Sequence, residues 1–471
     1  MRLQRMMIPL VTLALVAAAC GGDDDDDGAG DGGADTATPT AEPTAEPTAE
    51  PTAEPTAEPT AEPTGGGEVG ENTGRVTLLS AVEPEEGEAV QAIFDDLINS
   101  QVEYTAEIEA SGNFEEQFQI RSEGGTLDLA AVPQPGAIGP LAERGLIVSL
   151  EDLGFDMDEI NALFGEAFVA LGEYNGEHYG LPTNINLKSM VWYPKAAFDA
   201  AGYQVPTTWD ELIALSDQIV ADGSTPWCIG FESEGATGWP ATDWMEDIML
   251  RTAGPDVYDQ WVNHEIPFDD PAVVRAGEVF GEILFTDGYV LGGAADTAEI
   301  AFGDAPGPMF QDPPGCWLHR QASFINSFFP TDAVAGEDYY WFPLPPIDQE
   351  GILFAGELTV VGSNRPEVKD FLERFMGQEV QCAMGGIVAS SRISPNVEVG
   401  GDCYANQILA DAADVLAEAN AAGAGRFDAS DLMPAAVGSG SFWVGMIEYV
   451  RGGPESLEGV LADIEASWPT E

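Results

Sequence analysis

Basic residues are scarce in this chain. Sixteen lysines and arginines stand against 82 aspartates and glutamates, with three histidines, and the formal net charge is -66. A surface this negative repels nucleic acid and anionic lipid headgroups, which excludes partners of those kinds. It also leaves few cations to clamp a strongly anionic ligand. The same charge keeps an exported protein soluble, in salty surroundings too. Cysteine is rare as well. There are five, none in C-x-x-C spacing, and His178, His264 and His319 lie far apart, so a zinc site has little support. No G-x-S-x-G, H-E-x-x-H or P-loop occurs. Beyond the first nineteen residues, no apolar run is long enough to cross a bilayer.

What is present begins with "MRLQRMMIPLVTLALVAAACGG". Arg2 and Arg5 make a basic start, and Met6 to Val16 is apolar but too short for a permanent span. Three alanines, Ala17 to Ala19, precede Cys20. Residues 1–19 therefore read as a secretory signal peptide. The placement of Cys20 resembles a bacterial lipobox, with Ala17 where such boxes usually carry Leu. The expectation is cleavage before Cys20 and lipidation of its thiol. That puts the protein on the extracellular face of the cytoplasmic membrane, touching the membrane only through the lipid.

Residues 20–72 hold a Gly/Asp run and then Thr-Ala-Glu-Pro six times, from Thr40 to Pro63. Proline in every fourth position blocks helix and sheet, and the repeat has no apolar face to bury. It reads as a disordered acidic stalk, and its repeat would extend roughly 75 Å. Asp23, Asp25, Asp27 and Gly28 mimic the start of a calcium loop, but Ala34 stands where the closing glutamate is needed. No metal is expected there.

Removing signal and stalk leaves roughly 400 residues, enough for one two-lobed protein or two domains. "RVTLLSAV", "VEYTAEIEA" and "TLDLAAV" read as strands. "EGEAVQAIFDDLINS", "NFEEQFQIRSEGG" and "GAIGPLAERG" read as the helices between and after them. This alternation implies a parallel sheet covered by helices on both faces, with ligands bound beyond the C-terminal strand ends. "VEPEEG" and "VPQPG" fall at those ends. The rhythm resumes with "LKSMVWYP" as a strand, "TTWDELIALSDQIVADG" as a capped helix and "TPWCIGFE" as a strand.

Next comes "ATGWPATDWMEDI", with two tryptophans and an aspartate. Asp243 and Glu246 read as the N-terminal cap pair of a helix running to Thr252. Trp244 falls on that helix's buried side, and Trp239 in the loop before it.

Of the four cysteines beyond Cys20, three pairings are open. Cys382–Cys403 closes a short loop, which favours that bond together with Cys228–Cys316, in the oxidising compartment a signal peptide implies.

The run "EYNGEHYGLPTNINLKSMVWYPKAAFDAAGYQVPTTWDELIALSDQI" resembles the central signature of bacterial extracellular solute-binding proteins of the sugar-binding family, which serve ABC importers. Tyr193 to Leu212 is its most specific part. "NFEEQFQIRSEGGTLDLAAVPQPG", "GCWLHRQASF" and "GELTVVGSNRPEVKDFLERF" look most like the branch that binds α-glucosides. The closing "GSGSFWVGMIEYVRGG" resembles the last helices of maltodextrin-binding proteins, where an aromatic near a helix start stacks on a sugar ring.

The resemblance implies an α/β fold of two lobes, the periplasmic-binding-protein type II arrangement. Each lobe is a sheet covered by helices, and crossing strands link the two. Residues 73–185 with 355–392 would form lobe 1, and 186–354 with 393–471 lobe 2. Crossings are expected near Asn184–Leu187, Phe354–Leu358 and Ile387–Pro395. Cys228 and Cys316 would share the second lobe, while Cys382 and Cys403 would bracket the third crossing. The implied protein is a binding subunit and not an enzyme. It is expected to be monomeric and to need no cofactor. Its partners would be permease subunits and a neutral carbohydrate, an α-glucoside or related oligosaccharide.

A pyranose has an apolar C–H face and a rim of hydroxyls. Aromatic rings cover the face, and carboxylates and amides satisfy the rim. The candidates are Glu83 and Glu86 after the first strand, Gln134 after the third, and Asn184 and Asn186 in the first crossing. Trp239 and Asp243 are added from the second lobe, with Trp317, Glu357 and Trp443. His319, Arg320, Phe328, Phe329, Tyr339 and Tyr340 read as structural. Two other functions compete. A secreted glycoside hydrolase needs two carboxylates about 5 or 6.5–9.5 Å apart, and no pair stands out. A stalked adhesion module would show no closure on a small ligand.

Overall fold

The computed structural model describes residues 73–388 and 392–469. The signal peptide, Cys20 and the stalk lie outside these residues. So do Ala389, Ser390 and Ser391 within the third expected crossing.

The first strand β1 (Arg75–Ser80) carries Val76, Leu78 and Leu79 into the interior, and helix α1 (Pro84–Ile93) covers it. The turns beyond α1 widen into a π-helical stretch, Phe94–Asn99, which buries Phe94 and Ile98. Strand β2 (Thr105–Ala110), helix α2 (Phe114–Glu123) and strand β3 (Leu129–Val132) follow. β1 pairs in parallel with β2 on one side and β3 on the other, as the strand-helix alternation predicts. Val90, Phe94, Leu129, Phe371 and Phe375 pack together as this lobe's core.

Two long strands leave this sheet. Gly180–Leu187 and Ile352–Val361 run antiparallel to each other, with Asn184 opposite Glu357 and Leu187 opposite Phe354. The end of the second strand is hydrogen-bonded to β3, Leu358 against Val132, while its beginning pairs with Gly425–Phe427. Ile185 also bridges Ile393. The three expected crossing segments therefore lie side by side.

The second lobe departs from the expected rhythm. Met190–Tyr193 is a strand, but it sits in a three-stranded antiparallel sheet between His319–Arg320 and Tyr340–Pro343. The "TPWCIGFE" segment forms no ladder. Trp227 makes single bridges to Val290 and Leu318, and Glu232 one to Ala301. Its neighbours are loops, so its backbone groups are satisfied one at a time. Helices Trp209–Ala221, Trp239–Ala253, Pro271–Phe285 and Trp443–Gly452 surround an aromatic core that includes Trp227, Trp244, Trp261 and Phe280. Cys228 is bonded to Cys316 and Cys382 to Cys403, with Cα separations of 5.5 and 4.9 Å. No helix among the described residues is long and apolar enough to cross a membrane.

Candidate functional site

The crossing strands form the floor of a cleft of about 690 Å³. Glu83 and Glu86 enter it from the turn after β1 and the start of α1, and Gln134 from the turn after β3. These are the C-terminal strand ends where α/β sheets bind ligands. Asn184, Asn186 and Glu357 rise from the paired crossing strands, and Trp239 and Trp443 come from the far side. Eight of the ten candidates thus share one cavity.

The other two do not line it. Trp317 is core. Its Nε1 donates to Ser224 Oγ at 2.8 Å, and its ring meets Tyr203 edge-on at 5.0 Å. An indole beside a disulfide packs there because burying that area outweighs exposing it. Asp243 lies beneath the floor, fully buried. It does not cap a helix. The helix begins four residues earlier, at Trp239, with Pro240 in its first turn where a missing N–H is harmless. Asp243 and Glu246 are instead spent on tertiary partners.

The start of that helix explains how the two tryptophans come to line one cavity. Gly238 has φ +116, and a Cβ on it would lie 2.2 Å from the Trp443 carbonyl oxygen. Only glycine lets the two helix starts approach this closely. Trp239 is then half-buried, with its ring 5.1 Å from Phe302 and 5.9 Å from Phe324. Trp443 is 6 % exposed, and its Nε1 donates to Ser430 Oγ at 3.3 Å. Phe302, Phe324 and Phe328 extend the aromatic wall. Phe328, expected in the core, is therefore a lining residue. Phe329 and Tyr339 are core, and half-buried Tyr340 donates through its hydroxyl to Asp411 at 2.5 Å.

Two cations organise the floor. Lys188 Nζ donates to Asp243 Oδ1 at 2.7 Å and to Asp428 Oδ2 at 2.5 Å, and lies 5.2 Å from the centroid of the Trp239 ring. Burial by itself would lower the Lys188 pKa, but the surrounding carboxylates outweigh it and hold it above the ordinary lysine value. Burial, opposed by Lys188, pushes Asp243 up to about 7, whereas Asp428 is held low because Lys188 and the Asp431 amide outweigh its burial. Glu246 accepts from the backbone amides of Ala429 and Ser430, and burial beside Asp428 raises it well above the usual carboxylate range.

Asp243, Glu246 and Asp428 could in principle bring three oxygens around a metal ion. The Lys188 ammonium is already bonded to two of the three, so the donor set suits this cation better than a metal. Arg320 reaches Asp247 at 3.0 Å, and its Nη1 lies 3.3 Å from Asp243 Oδ2 without hydrogen-bond alignment. His319 is buried against the Cys228 carbonyl and is lowered to about 4 by that burial. Both are structural, as expected.

Arg392 is the second cation. Its Nε donates to Glu86 Oε1 at 2.7 Å and its Nη1 to Glu357 Oε2 at 3.1 Å. Burial would lower it, but these two carboxylates hold it above the ordinary arginine value. Asn184 Nδ2 donates to Glu357 at 3.4 Å, while Asn184 Oδ1 is buried without a hydrogen-bond partner. Sequence reasoning missed Lys188, Arg392 and Asp428. The available signal was scarcity: in a chain with so few cations, a lysine inside "NINLKSMVWYP" has to be held by carboxylates.

The model for "bacterial extracellular solute-binding protein" matches residues 80–373. The α-glucosides-binding periplasmic protein AglE of Rhizobium meliloti is 41 % identical over 394 residues, covering 81 % of this chain and 83 % of that one. The osmoprotective compounds-binding protein GgtB of Synechocystis is 39 % identical over 409 residues, covering 85 % and 93 %. The solved solute receptor AcbH, described as exclusive for β-D-galactopyranose, superposes with a TM-score of 0.71 at 18 % identity, covering 83 % and 97 %. The matched span and these identities show that the chain belongs to the bacterial extracellular solute-binding proteins.

Proposed function

We propose that this protein is the capture subunit of an ABC importer, tethered by lipid on Cys20 and a stalk to the extracellular face of the cytoplasmic membrane. Its ligand is a neutral carbohydrate, an α-glucoside or a related small osmoprotective glycoside. One observation carries the reading: two indoles from converging helix starts share a cavity with Asn184, Asn186 and Glu357 on the crossing strands. The rings cover an apolar sugar face, and the amides and carboxylates accept from its hydroxyls. The relatives support the same chemistry, since AglE is named for α-glucosides and GgtB for osmoprotective compounds. Ligand would bind between the lobes, and hinge closure along the three crossing segments would present the closed form to the permease.

Titration calorimetry with trehalose, sucrose, maltose and glucosylglycerol tests this. The expected result is stoichiometric binding of at least one, with the sugar recovered intact and the affinity lost in Trp239→Ala and Trp443→Ala. Released monosaccharide would make the protein a hydrolase. Silence across the panel would remove the carbohydrate reading.

A further inference from the structure

The only two cations lining the cleft among the described residues, Lys188 and Arg392, are each held between two carboxylates of the floor. Neither has charge to spare for a ligand. Around them, Glu83, Glu115 and Glu116 project from the first lobe, and Glu232, Glu234 and Asp304 from the second. None of these six pairs with a cation among the described residues. The lobes are already close: a Cβ on Gly136, in the turn after β3, would lie 2.2 Å from the Met433 carbonyl oxygen. Glu115 is near enough to Asp431 to help raise its pKa, behind the larger effects of burial and Asp428. Asn184 is a second, independent observation: it is 4 % exposed, lines the same cleft, and its Oδ1 has no hydrogen-bond partner among the described residues.

Resting on the carbohydrate reading above, we propose that the cleft selects its ligands by charge: a sugar bearing an ammonium group is held more tightly than its neutral parent, and a sugar acid is rejected. Glu115, Glu116 and Glu232 are the residues that set this selectivity. The physical reason is that the cleft offers acceptors and an uncompensated negative field. A hydroxyl can donate to the acceptors, but only an ammonium also meets the field, and a carboxylate meets neither. Because the six carboxylates face water, their effect is long-ranged and screened. The Debye length falls from about 10 Å at 0.1 M salt to about 3 Å at 1 M.

The test uses one skeleton with one changed group: trehalose, 6-amino-6-deoxytrehalose, and trehalose oxidised to the carboxylate at the same carbon. Each is titrated into the full chain at pH 7 in 20 mM and 1 M NaCl. At low salt the amine is expected to bind about tenfold more tightly than trehalose, and the acid not measurably. At 1 M the advantage of the amine should shrink to less than about twofold. In Glu115→Gln/Glu116→Gln/Glu232→Gln the ratio of amine to neutral affinity should fall at low salt. A ratio is read, so a general loss of affinity does not mimic the effect. Equal or weaker binding of the amine at low salt would overturn the proposal. So would an advantage that persists at 1 M, which would mark a local hydrogen bond instead of a field. Silence of all three compounds while another sugar of the calorimetric panel binds would overturn the charge selection alone, whereas silence across that whole panel would remove the carbohydrate reading as well.

Discussion

Replacing Gly238 by alanine probes the junction on which the aromatic wall depends. The residue sits at φ +116, where an L side chain is strained, and the added Cβ would meet the Trp443 carbonyl oxygen at 2.2 Å and its carbonyl carbon at 2.7 Å. Ordinary contact begins near 3.4 Å, so the two helix starts must separate by about 1 Å. Both obstacles are backbone, which cannot swing aside as a flexible side chain would. The conformational strain costs about 1–2 kcal/mol and the overpacking about 1–3 kcal/mol, so a total loss of roughly 2–5 kcal/mol is expected. Urea unfolding followed by tryptophan fluorescence reads that loss. Ligand titration reads a second effect. Moving Trp239 away from Trp443 should weaken sugar affinity at least tenfold, while Ala at Gly223, a positive-φ turn glycine remote from the cleft (φ +85), costs stability alone. If Gly238→Ala unfolds at the wild-type urea concentration and binds with unchanged affinity, the two helix starts are not in contact and the geometry proposed for the wall is wrong.

Arg392→Met removes the cation between Glu86 and Glu357, whose side chains are each 13 % exposed. A loss of about 3–5 kcal/mol is expected from the two uncompensated buried carboxylates. Adding Glu86→Gln and Glu357→Gln should restore most of it, and a single variant within about 1 kcal/mol of wild type would contradict the pairing. Asp243 makes stability pH-dependent. Its folded pKa of about 7 lies above the ordinary aspartate value, so the folded state binds a proton more tightly than the unfolded one. That stability is fully present below about pH 4 and is lost as pH rises through about 7. Between pH 5 and 7.5 the unfolding free energy of Asp243→Asn should therefore fall less steeply than that of wild type. Parallel slopes would show that Asp243 does not change its protonation over this range.

Much of the architecture was legible because it is written in periodicity and in short local signals. Alternating apolar positions and glycine stops marked β1 to β3 and their helices, and the strand-end rule then placed Glu83, Glu86 and Gln134 at a mouth. Loop length favoured Cys382–Cys403, and with it the other pair. The second lobe read poorly for a physical reason. "TPWCIGFE" has the composition of a strand, but pairing depends on what lies beside it, and there only loops do. Asp243 with Glu246 has the spacing of a cap, yet those carboxylates answer Lys188, 55 residues from Asp243, and the amides of Ala429 and Ser430, 183 and 184 residues from Glu246. Local spacing cannot reveal such a partner.

The sequence by itself determined that the chain is acidic, built of alternating strands and helices, and furnished with indoles and carboxylates at strand ends and helix starts. Those properties follow from composition and from neighbours a few residues apart. Only the tertiary structure decided that Trp239 and Trp443 share a wall while Trp317 serves the core. It alone decided that Lys188 and Arg392 are consumed by the floor, which leaves the cleft with acceptors and no unpaired cation among the described residues. Charge pairing depends on distance in space, and folding sets that distance between residues the chain keeps far apart.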